Sequence, residues 1–311
     1  MAIANPEKRP AAQGRVPLSA LCALVFICVC FGVNWSVMKV SNQHASPMVT
    51  LFIRVLVAAI CLGIWTGLVR RDNILPPSGL RFKLLLQSLL FSGHTIFAYL
   101  GVLYISAGRS SVICYLTPFF AVIFERIFLG TRPGGRQVLG MCIAFAGIIL
   151  LFADRPANMP AKASWVGDVI MIVSALCWAG SSVFTKKYVA AHTRPSQTSF
   201  WGACVAMLIT FIICTTTGLF DNVHLTAGYV LMLVYQGVFV AFIAFTLLQV
   251  LIYRYSAGLI HSFTFLTPLV GVLSGVLFLG EPTGSLMIIC LIMVCLGLLL
   301  INTKETHHKA H

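Results

Sequence analysis

The sequence predicts an all-α polytopic membrane protein: ten transmembrane helices arranged as two inverted five-helix repeats, with the N- and C-termini in the cytoplasm. Three observations carry this reading: composition, the placement of basic residues, and an internal repeat. Of 311 residues, 59% are hydrophobic and only 9% charged, whereas soluble domains carry about 25% charged residues. Mean hydropathy is +0.95. Apolar runs of about 20 residues recur throughout, each long enough to cross roughly 30 Å of hydrocarbon as a helix.

The segments read as 18–40, 47–69, 82–105, 110–128, 136–153, 165–187, 196–218, 226–250, 259–279 and 284–302. Turn-forming stretches separate them, among them "RRDNILPPSG", "GTRPGG", "DRPANMPAKAS", "HTRPS" and "GEPTG". The polar, basic stretch 1–17 precedes the first segment. That segment has no small-residue cleavage pattern, so it reads as a membrane helix and not a leader. The organisation is then an N-terminal tail (1–17), a first unit (18–153), a linker (154–164), a second unit (165–302) and a C-terminal tail (303–311).

Basic residues fall unevenly on the two sides. Lys8, Arg9 and Arg15 precede segment 1. Arg70, Arg71, Arg81 and Lys83 follow segment 2, and Arg126, Arg132 and Arg136 follow segment 4. Lys186, Lys187 and Arg194 lie on the 6–7 loop side, at or beyond the end of segment 6, Arg254 follows segment 8, and Lys304 and Lys309 end the chain. The opposite side receives Lys39, Arg109, Arg155 and Lys162. Basic loops face the cytoplasm, which places both termini there. The net charge of +13 is thus a topology signal, and no nucleic-acid partner is expected.

The repeat lies in "SAGRSSVICYLTPFFAVIFERIFLG" (106–130) and "SAGLIHSFTFLTPLVGVLSGVLFLG" (256–280), offset by 150. Matches continue to Gly134/Gly284 and Gly147/Gly297. Upstream, "CFGVNWSVMK" (30–39) parallels "CWAGSSVFTK" (177–186). An odd number of helices per copy inverts the second copy, as in secondary transporters with a shared midplane site. Equivalent loops would then face opposite sides. Accordingly, the arginines after segment 4 have uncharged partners after segment 9, where Glu281 stands. Pro118 and Pro268 fall inside segments 4 and 9 and read as hinges that free the carbonyls of Cys114 and Thr264.

These motifs, with "GMCIAFAGIILL", "GDVIMIVSALCWAGSSVFTKK" and the terminal "GEP", look like the two repeats of the EamA family of the drug/metabolite transporter superfamily. The resemblance covers roughly residues 25–302. It implies ten helices, alternating access and traffic of small metabolites, often export of amino acids or related compounds. It also implies a multi-pass protein of a cell membrane, most naturally a bacterial inner membrane. The acidic residue usual after "LG" is kept as Glu281 but replaced by Thr131 in the first copy. A branch handling nucleotide sugars or phosphorylated solutes is the alternative within the superfamily, and a channel is a more distant one.

The candidate cavity residues are polar or aromatic groups inside the segments. Arg54 is costly near mid-span, by about 2.5–3.5 kcal/mol, and reads either as an anion ligand or as a clamp on backbone carbonyls. Asn34 and Ser181 are repeat partners, flanked by Trp35 and Trp178. Tyr99 pairs with Gln249, and Tyr115 with Phe265. His94 and His261 are the embedded histidines, and either is a candidate for coupling to protons. Glu125 reads as the only carboxylate within a segment, near a cytoplasmic end, which argues against a carboxylate proton relay. No metal-ligand spacing, nucleophile motif or P-loop is present, so neither an enzyme nor an ATP-driven pump is expected. No cofactor or metal is called for. The expected partners are a small-molecule metabolite and the lipid bilayer, with the chain as a monomer. The eleven cysteines read as packing residues.

Overall fold

Local chemistry sets where each helix begins and ends in this computed structural model, which describes residues 18–69, 75–76, 78–130, 134–153, 161–254 and 266–302. In the first half the helices are α1 (Leu18–Ser41), α2 (Pro47–Ile64), α3 (Arg81–Tyr104), α4 (Ala107–Cys114), α5 (Thr117–Leu129) and α6 (Gly135–Ala153). The second half has α7 (Ala161–Phe184), α8 (Pro195–Thr216), α9 (Ala227–Val234), α10 (Phe245–Arg254), α11 (Leu266–Leu279) and α12 (Ser285–Asn302). Wider π-turns extend α2 over Trp65–Val69 and α7 over Thr185–Val189, and join α9 to α10 over Tyr235–Ala244. No strand occurs among the described residues.

Pro47 and Pro195 open α2 and α8, where a missing N–H leaves no bond unmade. Ser106 and Thr226 cap α4 and α9 by accepting the N–H of Arg109 and Tyr229, each at 3.1 Å. The repeated "FLG" has a physical reason. Gly130 and Gly280 adopt left-handed φ values of 72° and 61°, ending α5 and α11 in a conformation that a side chain resists.

The repeated "LTP" differs from expectation. The first copy is not one helix with an internal proline. The helix breaks at Tyr115–Leu116, and Pro118 falls in the first turn of α5. The Cys114 carbonyl is not left open either, because Thr117 Oγ1 donates to it at 2.7 Å. The motif therefore carries its own hydrogen-bond donor beside its proline. Pro268 is described within α11, while Thr264 and the other residues of 255–265 lie outside the described residues.

Among the described residues, seven helices are long and apolar enough to cross a membrane: Leu18–Ser41, Pro47–Val69, Ser78–Tyr104, Ala107–Leu129, Trp165–Val189, Pro195–Thr216 and Ala227–Leu248. Three shorter apolar helices, Val138–Gly147, Leu266–Leu279 and Ser285–Gly297, accompany them. Many large apolar side chains face outward, among them Leu68, Ile127, Leu231, Leu277 and Phe278. Such a surface suits lipid and would be a liability in water. The chain is a multi-pass membrane protein.

The main packing joins the two halves. α3 lies along α7, α2 along α8, α1 along α11, and α6 along α12. Small residues permit the close approaches. A Cβ added to Gly32 would stand 2.6 Å from Val270, one on Gly271 2.5 Å from Ser111, and one on Gly297 2.6 Å from the Gly140 carbonyl. One apolar core, from Trp35 and Val49 through Phe119 to Met171 and Val294, crosses both halves.

Candidate functional site

Between the halves lies a cavity of about 130 Å³. This is smaller than a drug-sized pocket of roughly 300–1,000 Å³. Residues of α1, α2, α3, α4 and the α4–α5 break line it from one half. From the other half come residues of α7, α8, the π-turns after α9, and α10. Its walls are largely apolar and carry several aromatic rings: Phe31, Trp35 and Phe91 from the first half, Trp178 and Phe245 from the second, with Tyr115 at the break.

Arg54 is the charged side chain on this wall among the described residues. Its guanidinium donates to the Tyr99 hydroxyl at 3.3 Å and lies 5.6 Å from the centre of the Tyr99 ring. Tyr99 is fully buried and donates in turn to Gln236 Oε1. Gln236 Nε2 donates to Ser41 Oγ at 2.8 Å, and Ser41 donates to the Val37 carbonyl. Beside this chain, Thr50 and Tyr229 share a 3.0 Å hydrogen bond, and His44 stacks on Tyr229. Ser41, Thr50, Tyr99, Gln236 and Tyr229 have no exposed surface. Together they form a sealed polar layer at the end of the cavity nearest Lys39. Each polar group there has a partner, which is the condition for burying it.

His94 lies deeper. Its Nδ1 is 2.9 Å from Ser174 Oγ and 3.2 Å from the Ser174 carbonyl. Ser174 Oγ donates back to the His94 carbonyl at 2.9 Å. That commits the hydroxyl proton, so Nδ1 carries the N–H of the neutral ring and Nε2 is the acceptor. The ring stacks on Trp178, with centroids 4.6 Å apart. Asn34 donates to Met38 Sδ at 3.1 Å, and its amide oxygen is buried with no partner among the described residues.

The structure thus gathers Asn34, Trp35, Arg54, His94, Tyr99, Tyr115 and Trp178 around one space. Ser181 is elsewhere. It accepts a 3.0 Å hydrogen bond from Gln87 Nε2 and ties α7 to α3. His261, Phe265 and the side chain of Gln249 lie outside the described residues. The partner of Tyr99 is Gln236, which sequence reasoning passed over. The signal was present: Gln236 is an amide inside the apolar run "LVYQGVFVAF", and polar groups at membrane depth are functional candidates.

One expectation is overturned. Glu125 is not the only carboxylate within a segment. Asp168 lies inside 165–187 and is buried, with both oxygens accepting from Arg109: Nε to Oδ1 and Nη2 to Oδ2, each at 2.7 Å. Glu281 is a helix cap. Its oxygens accept from the backbone N–H groups of Ala107 (2.7 Å) and Gly108 (3.1 Å) at the start of α4, where negative charge is favoured. Lys39 lies 3.4 Å from Glu281 Oε1 and donates to the Ile105 carbonyl at 2.8 Å.

Comparison with known proteins points to a transporter. A Bacillus subtilis (strain 168) protein named "Uncharacterized transporter YvbV" is 27% identical, over 92% of this chain and 92% of its own. A "Probable amino-acid metabolite efflux pump" of Escherichia coli (strain K12) is 23% identical, over 88% of this chain and 91% of its own. An "Uncharacterized inner membrane transporter YedA" of the same strain is 24% identical, over 91% and 92%. A solved crystal structure shares the fold with a TM-score of 0.65 at 17% identity, covering 92% of this chain and 96% of that one. The model of the EamA-like transporter family matches residues 18–153 and again 165–303. The chain belongs to the EamA-like transporter family, and it is a transporter rather than an enzyme.

Proposed function

We propose that the protein moves small organic metabolites across a bacterial inner membrane by alternating access. Amino acids or related compounds, carried outward, are the leading candidates. The observation that carries this reading is the cavity enclosed between the two halves and sealed at the Lys39 end by a buried polar layer. The seven long and three shorter apolar helices make ten spans in this reading, forming two inverted repeats with both termini cytoplasmic. Units 18–153 and 165–302 are the two copies, joined by 154–164. The packing supports it. Numbering the spans one to ten along the chain, span 1 packs on 9 and 6 on 4, span 3 on 6 and 8 on 1, 2 on 7, and 5 on 10. This set is unchanged when each span is exchanged for its copy, as a two-fold axis requires.

Basic loops then put the Lys39 end outside, and the buried polar layer stands between the cavity and that side. Rocking of one copy against the other would break the polar layer and open it, with the prolines of the two "LTP" motifs, Pro118 and Pro268, as hinge points. The name of the Escherichia coli efflux pump is consistent with amino-acid-derived cargo. A nucleotide-sugar or phosphorylated-solute exchanger would need more than the single cation that Arg54 supplies. No carboxylate relay lines the cavity among the described residues, so any proton coupling would fall to His94 or His261. The monomer contains the whole cavity.

Counterflow in proteoliposomes tests the reading. Vesicles loaded with unlabelled solute should accumulate labelled solute, and Arg54→Ala or Tyr99→Ala should abolish accumulation in folded protein. Absence of exchange for amino acids, organic acids, sugars, nucleosides and phosphorylated solutes alike would remove the carrier reading and favour a channel.

A further inference from the structure

We infer that the cavity selects a small monocarboxylate with an apolar body, net charge −1, and disfavours a zwitterion of the same shape. This rests on the transport reading above and narrows it: among amino acids and related compounds, the charge of the site favours acids that lack the ammonium group over the amino acids themselves.

There are eight acidic residues, and none of the four among the described residues pairs with Arg54. Asp168 is held by Arg109, and Glu281 caps α4 beside Lys39. Glu125 pairs with Lys186 at 2.8 Å near the opposite end, and Asp221 is exposed on the turn Leu219–Asn222. The other four, Glu7, Asp72, Asp154 and Glu305, fall in the polar tails and connections of the sequence, outside the apolar segments.

Arg54 uses a guanidinium donor on Tyr99, and among the described residues it has no other hydrogen-bond partner. A guanidinium has five N–H donors and matches a carboxylate through two of them at once. The cavity wall therefore carries one positive charge with an unfilled planar fork, set among aromatic faces. In a low-dielectric site a monocarboxylate brings the total to zero. A zwitterion leaves it at +1 and an amine raises it to +2, and charge left uncompensated away from water is costly. The other polar groups on the wall, the Asn34 amide oxygen, His94 Nε2 and the hydroxyls of Thr95, Tyr115 and Ser199, are uncharged. They suit a hydroxyl or amide N–H on the solute and supply no negative charge for an ammonium.

Tyr99 gives the site a second property. The hydroxyl that Arg54 touches also donates to Gln236 in the sealed layer. A carboxylate drawing Arg54 away from Tyr99 acts directly on the chain of bonds that closes the Lys39 end.

The experiment uses four matched probes and the full-length protein in detergent at neutral pH: phenylacetate, phenylacetamide, phenylalanine and phenethylamine. Affinities are measured by titration calorimetry and by competition in counterflow. Phenylacetate should bind roughly 10- to 100-fold more tightly than its amide, the range of a charge-assisted pair. Phenylalanine should be weaker than phenylacetate, and phenethylamine weakest. Arg54→Gln should reduce the acid-over-amide ratio to about one, while the wild-type ranking stands independently of whether that variant folds. Equal binding of acid and amide, tighter binding of phenylalanine, or an acid preference that survives Arg54→Gln would each overturn the inference. So would absence of phenylacetate binding in protein that exchanges other solutes, which would leave the carrier reading intact. Absence of all exchange would instead strike the carrier reading itself.

Discussion

The two ends of the molecule are built from the same repeated motif and hold together in different ways. Lys39 and Lys186 are repeat partners at the ends of α1 and α7. At the Lys39 end, the lysine meets Glu281, whose side chain is 11% exposed and caps α4. The buried Arg109–Asp168 pair lies at that end too. At the other end, Lys186 is 61% exposed and Glu125 30%, and Lys187 donates to the Phe128 carbonyl at the surface. The repeat partner of Glu281 is Thr131, so the acid that caps at one end is missing from the sequence at the other. The lesson concerns solvent. The same lysine takes part in a partly buried contact with a helix-capping acid in one copy and in a solvent-exposed pair in the other. Opening the Lys39 end therefore means separating desolvated partners, whereas the Lys186 end exchanges its ion pair for water at little cost.

The comparison breaks most easily at the buried pair. Arg109→Ala or Asp168→Ala alone leaves an uncompensated buried charge and should cost about 3–5 kcal/mol. Unfolding followed by tryptophan fluorescence in mixed micelles would measure it. Replacing both residues by methionine and leucine should recover most of that loss, because the desolvation cost goes with the charges. If the singles are neutral, the pair is not desolvated in the membrane.

A middle effect is expected at the cap. Glu281→Ala should cost about 1–3 kcal/mol by exposing the N–H groups of Ala107 and Gly108. It should also raise thiol labelling of a cysteine introduced at Ser106, as the Lys39 end loosens. The smallest effect belongs to Glu125→Ala, where an exposed pair contributes about 0–1 kcal/mol. A loss at Glu125 equal to that at Glu281 would mean the two ends are energetically alike, contrary to the comparison.

Local features of this chain were legible in its sequence. Helix positions follow apolar length, and their ends follow Pro47, Pro195, Gly130 and Gly280. The aromatic and polar candidates of α1, α2, α3 and α7 could be picked out because polar groups inside apolar runs are rare. What was not legible is partnership. Asn34 and Ser181 are equivalent in the repeat, yet one lines the cavity and the other ties α7 to α3 through Gln87. Arg109 and Asp168 are 59 positions apart, and Tyr99 and Gln236 are 137 apart. No periodicity links such pairs.

The sequence by itself determined the solvent this protein lives in, the helices and their punctuation, and the doubling of the unit. Each depends on composition or on residues within a turn or two of one another. Only the tertiary structure decided which polar groups meet, because in an apolar medium every buried donor must find an acceptor and the packing of helices chooses it. That choice left Arg54 facing an open space, tied Asp168 to Arg109, and turned Glu281 into the cap of a helix that begins 174 residues earlier.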